Sequence, residues 1–190
     1  MSYFEEFLKK ERDNLRSYKV WYHGTNLSSV NKIKEDGIIF NYSSQIFSDF
    51  GKGFYLTYDK KQAEIWANKK AEIDTFNENE EDSISAVLEV ELDLSEENIL
   101  IVNDFDEEWA RIILKNRSKY YKDFDFEVDD NFPLIFGRMA DKVVGRAVRT
   151  YEKKRDIEAF LKLSVREEFK TQNQLVVKSQ EICDKIKIIT

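Results

Sequence analysis

Between Leu88 and Leu94 the chain reads LEVELDL, apolar at every second position and acidic in between. Side chains alternate faces along an extended strand, so this run is a strand with one face buried and the other in water. Such a strand belongs to a sheet covered on one side. Strands of a doubly wound parallel sheet are buried on both faces and read as continuous apolar runs. Other short apolar or aromatic runs occur at residues 20–23, at 53–57, in FPLIFG ending at Gly137, in QLVVKS and in DKIKII. They are separated by helical patterns without the regular strand–helix alternation of a nucleotide-binding α/β fold. Six or seven short strands interrupted by helices make an α+β domain.

The 190 residues suit one domain, 1–190, with an N-terminal helical extension over 1–18 and a core over 19–190. In the extension Phe4, Phe7, Leu8 and Leu15 fall at helical spacing over residues 3–17. Next come a turn at Gly24, Thr25 and Asn26 and a helix over 28–35 that closes at Gly37. Asp59 caps a further helix, whose apolar face carries Ala63, Trp66, Ala67 and Ala71. The charged stretch 74–83 reads as a loop. DEEWARIILKN has the acidic start and basic end that a helix dipole favours, and helical patterns recur at 142–151 and 155–163. Trp66 and Trp109 are expected in the core, since aromatic residues on a helix face usually pack.

Nothing at the N-terminus has an apolar run of signal-peptide or membrane-spanning length, so a cytoplasmic protein without a membrane partner is expected. Cys183 is the one cysteine and His23 the one histidine, which leaves no disulfide and no usual zinc constellation. Cys183 lies among Ile182, Ile186 and Ile188 and reads as a buried thiol. The net charge of −7 argues against a broad, sequence-independent surface for nucleic acid, which needs clustered Lys and Arg. Acidic stretches such as DTFNENEEDS read first as solvated loops.

Two short motifs carry candidate chemistry. YHGT puts His23 on a strand, next to Gly24. DFGKGFY places Gly51 and Gly53 one residue apart before a strand, where backbone N–H groups can approach a ligand and a turn can take positive φ. No helix opens directly behind that turn and no Walker Lys-Ser/Thr pair follows, so it is not a dinucleotide fingerprint or a P-loop. Each motif alone reads first as a structural feature.

In combination and in order, YHGT, DFGKGFYLT, the helix KKQAEIWA and the late strand NQLVV resemble the ADP-ribosyltransferase superfamily. The likeness is to its His-Tyr-Glu branch, which includes diphtheria toxin and the poly-ADP-ribose polymerases. It is closest to small bacterial toxin-like proteins with YHG, DFGxGFYxT and QAxxWA, in which Gln replaces the Glu. EEWARIILKNR and LIFGRMADK stand between these motifs as they do in that group, and the resemblance covers about residues 20–190. It implies a split, mixed and antiparallel-rich β-sandwich with flanking helices and a central cleft for NAD.

The resemblance also implies roles. His23 would bond a ribose hydroxyl of NAD, the Gly24 backbone would meet the nicotinamide carboxamide, and Tyr55 would stack on the nicotinamide ring. Gln174 would take the third catalytic position at the ribose 2′-hydroxyl. Thr25, Asp49, Gly51 and Gly53 would shape the site, and Arg138 would face the diphosphate. A neutral Gln accepts a hydrogen bond but brings no charge to an oxocarbenium-like transition state, and Asp141, Glu168 and Glu181 are candidates for the missing carboxylate, Asp141 first. The expected activity is mono-ADP-ribosyl transfer from NAD, without a metal, to a protein or nucleic-acid acceptor, in a toxin paired with an antitoxin or in a phage-defence effector. The alternatives are an NAD glycohydrolase and a catalytically silent module that binds NAD, ADP-ribose or a protein.

Overall fold

The structure, a computed structural model, describes residues 3–41, 48–74, 79–140, 144–165 and 172–190. Its elements in order are α1 (Tyr3–Ser17), β1 (Val20–Asn26), α2 (Leu27–Asp36), β2 (Phe54–Leu56), α3 (Lys60–Asp74), β3 (Ser85–Glu91) and β4 (Ile99–Val102). The second half follows with α4 (Glu107–Arg117), β5 (Leu134–Arg138), α5 (Val144–Lys154), α6 (Ile157–Ser164), β6 (Asn173–Val177), α7 (Gln180–Cys183) and β7 (Lys187–Ile188). One sheet has the order β1-β3-β7 and is antiparallel; the other has the order β2-β6-β5-β4 and is antiparallel except for the parallel pair β4–β5. The α+β expectation holds at this level: two small sheets with helices, and no closed barrel among the described residues.

The alternating run at 88–94 packs its apolar face against the second sheet. Leu88 and Val90 of β3 are buried, and so are Leu92 and Leu94 beyond its end, while Glu91 faces water. They meet Leu134, Phe136, Leu175 and Val177 from the other sheet, with Trp21 and Phe54 in the same core. The intervening residues Ile135 and Val176 point the other way, into a second core with Trp109, Ile113, Ala147 and Phe160 from α4, α5 and α6. The four-stranded sheet is therefore buried on both faces. That explains why β4, ILIV, shows no alternation and escapes a search for period two.

Three local expectations change. Gly24, Thr25 and Asn26 do not form a turn: they continue β1, paired with Val87, Ala86 and Ser85, and the Asn26 side chain caps α2 by accepting from Ser29 N–H at 3.0 Å. DKIKII is mostly not a strand, since α7 precedes it and β7 is two residues long. Trp66 is not core: it is 42% exposed, whereas Trp109 is fully buried as expected. Trp21 is fully buried, and Cys183 is buried with its thiol pKa pushed up to about 12 by desolvation. Asp141 and Glu168 lie outside the described residues, as do the side chains of Phe4, Phe7 and Leu8.

Candidate functional site

A cavity of about 620 Å³ opens where the two sheets part. Their backbones are joined at one rung, Tyr22 with Thr57, through Tyr22 N–H to Thr57 O at 2.8 Å and Thr57 N–H to Tyr22 O at 2.9 Å. Continued, this antiparallel ladder would next join Gly24 to Tyr55. It does not. Instead the His23 ring reaches across, its Nδ1 lying 2.7 Å from Tyr55 O. Alternation along β1 turns the Gly24 N–H and C=O away from β3, toward the side where Tyr22 meets Thr57. No described group bonds them.

A carbonyl only accepts, so His23 Nδ1 carries the proton and donates it, which leaves Nε2 as a lone-pair acceptor. Burial lowers the His23 pKa below 6.5, so the neutral ring prevails at neutral pH. The ring packs on Phe54 with centroids 4.5 Å apart. Tyr55 is fixed at its far end, where its hydroxyl donates to Gly51 O at 2.7 Å and accepts from Phe50 N–H at 3.1 Å. Burial raises its pKa well above the ordinary value, so Tyr55 offers a ring rather than a titrating phenol.

The turn from Ser48 to Gly53 does two jobs. Gly51 has φ of +83°, the region glycine favours, and its carbonyl is the one that holds Tyr55. Asp49 is 4% exposed, and its carboxylate accepts three hydrogen bonds and a further ion-pair contact from Arg117. Arg117 Nε and Nη2 reach Oδ1 at 2.6 and 2.5 Å, and Ala140 N–H and Gln174 Nε2 reach Oδ2 at 2.9 and 2.8 Å. The carboxylate beside Gln174 is thus Asp49, and it is already matched by Arg117. Glu181 is not near it: its side chain is 82% exposed on α7 and pairs with Lys185.

His23, Gly24, Thr25, Asp49, Gly53, Tyr55 and Gln174 all line the cavity, as do Trp66 and Arg117. Gly51 and Arg138 do not. Arg138 lies against a smaller cavity of about 300 Å³ under α1, where it donates to Asn103 O at 2.8 Å and Asn173 Oδ1 at 3.0 Å. Asn173 and Gln174 are neighbours on β6 and point to opposite faces, which separates the two cavities. The requirement for glycine at 24 comes from packing. A Cβ there would stand 2.0 Å from Ala63 O, so α3, and not a ligand, takes the space of a side chain.

Arg117 and Trp66 are the contributors that sequence reasoning passed over. Arg117 ends the EEWARIILKNR helix, and a basic last turn is sufficiently explained by the helix dipole. Trp66 sits on the expected face of α3, but at the cavity wall, with its Nε1 3.2 Å from Met139 Sδ and Lys69 Nζ 4.7 Å from its ring centre. Lys32, Lys69, Lys70 and Arg117 line the cavity with Asp36 and Asp49; Arg117 is paired with Asp49, and Lys70 with Asp74 at 2.7 Å. No helix among the described residues is long and apolar enough to cross a membrane.

No curated protein and no solved structure matches the chain. Residues 20–188, which run from β1 to β7 and leave out α1, match the family described as "Protein of unknown function (DUF3990)", and the chain belongs to that family.

Proposed function

We propose that the cavity binds NAD, cleaves the bond between nicotinamide and ribose, and transfers one ADP-ribose to a macromolecular acceptor. The observation that carries this reading is the interrupted ladder at Gly24. A backbone N–H and C=O of one residue, both without a described partner, match the acceptor and donor of a primary carboxamide. The neighbouring groups suit the rest of the nicotinamide riboside. The Tyr55 ring, anchored by its hydroxyl, offers a π-face to a cationic pyridinium. His23 Nε2 accepts from a ribose hydroxyl.

In the reaction the C–N bond breaks with its electron pair leaving on nicotinamide, which departs neutral. The anomeric carbon then bonds a nucleophile, which gives up its proton. Holding ring and ribose in fixed orientation lowers part of the barrier. Asp49 is matched by Arg117, so little uncompensated negative charge faces the developing cation near Gln174, and slow turnover is expected. The second reading, an NAD glycohydrolase, shares this cleavage step and differs in taking water as the acceptor.

The test is incubation of the protein with adenylate-labelled NAD and a bacterial lysate, following free nicotinamide and label on protein, DNA and RNA. Label retained on one fraction and lost in His23→Ala establishes transfer. Nicotinamide release without retained label establishes hydrolysis. The absence of both signals overturns the reading.

A further inference from the structure

We infer that Asp49 is a positioning residue: it fixes which end of the Gln174 amide faces the cavity, and it is why an amide and not a carboxylate stands at 174. A carboxylate accepts hydrogen bonds and donates none. With Arg117 holding Oδ1 and Ala140 N–H on Oδ2, the side of Asp49 that meets Gln174 demands a donor, and Gln174 supplies Nε2 at 2.8 Å. Gln174 therefore presents Oε1, which no described group bonds, as an oriented acceptor in a cavity it lines. That this oxygen meets a ribose hydroxyl rests on the NAD reading; the pairing with Asp49 does not.

The consequence runs against a simple repair of the site. Gln174→Glu, which on a triad argument restores the missing charge, would set two carboxylates at the 2.8 Å separation now held by a hydrogen bond. Two such groups cannot both ionise. Asp49→Asn has the opposite fault: with its oxygen kept on Arg117, its amide turns a donor toward Gln174, whose amide rotates to answer it and offers N–H to the cavity, and toward Ala140 N–H, a cost that is the same whichever residue stands at 174. Combined, the two changes reverse the polarity of the bond. The new amide at position 49 donates, and the new carboxylate at position 174 accepts with one oxygen and presents the other.

The experiment compares the effect of Gln174→Glu in two backgrounds. With Asp49 present it lowers nicotinamide release by roughly tenfold or more and lowers Tm. With Asp49→Asn present it raises both relative to Asp49→Asn alone, by roughly 3 °C or more in Tm. A change of the same sign in both backgrounds overturns the inference. A residue that merely fills space would give that same-sign result. If the unaltered protein releases no nicotinamide, the NAD reading fails, and the two Tm comparisons still decide the pairing.

Discussion

Gly24→Ala isolates the packing half of the site from its chemistry. The new methyl would lie 2.0 Å from Ala63 O, 2.8 Å from its carbonyl carbon and 3.0 Å from the backbone nitrogen of Ala67. All three are helix backbone, so no rotamer change relieves the clash. α3 must retreat from β1 by about 1 Å to reach the 3.0 Å limit that real contacts respect. α3 meets β1 through the buried Ala63, Ala67 and Ala71, and its retreat opens that seam. Over-packing costs about 1–3 kcal/mol, and an obstacle of backbone belongs at the upper end. For a chain of this size about 3 kcal/mol is a fall in Tm of roughly 6–12 °C. The assay is thermal unfolding followed by circular dichroism, with Gly145→Ala as control. There the nearest atom is the flexible Arg149 Nη1 at 3.7 Å, within α5, and the expected effect is neutral to about 1 kcal/mol stabilising. A Gly24→Ala protein that melts within a degree of the original would refute the argument.

The His23 ring is held neutral by burial, with its pKa below the unfolded 6.5, so its folded state binds fewer protons. Stability is complete above about 6.5 and declines as pH falls from there toward the lower folded value; urea midpoints at pH 7.5 and 5.5 should differ more in the original protein than in His23→Ala, and equal differences would contradict this. Trp66→Ala should shift stability by only about 0.5 kcal/mol, as at a surface site, rather than the roughly 3–5 kcal/mol of a core tryptophan. Because Trp21 and Trp109 are fully buried, acrylamide should quench chiefly Trp66, and saturating NAD should protect it. Quenching unchanged by NAD would place the nucleotide away from that wall.

The sequence disclosed the wet strand and most helix positions because those rest on period and caps, which are local. Leu88 and Val90 advertise their sheet by alternation, and Asp106 announces α4 by capping Trp109 N–H at 2.9 Å. β4 stayed hidden because both its faces are covered, and Trp66 was misplaced because an apolar helix face has no way to say whether it meets core or cavity. His23, Gly24, Tyr55 and Gln174 were legible as a set through motif order, and the cavity gathers them. Asp49 was assigned only a shaping role and Arg117 none. Their pairing joins residues 68 apart, and its meaning arises from Ala140 and Gln174 arriving at the same carboxylate. No spacing rule encodes that convergence.

The break in pairing after Tyr22–Thr57 has a consequence for the behaviour of the protein among its neighbours. Unpaired N–H and C=O groups on a strand are ordinarily an invitation to other chains, and proteins blunt such edges with charge, proline or cover. Here the unpaired stretch of β1 is turned inward, with α3 pressed against Gly24 on one side and the His23 ring spanning the gap on the other. An edge that on an outer strand would template aggregation becomes the wall of a recess of about 620 Å³, the size of a small-molecule site.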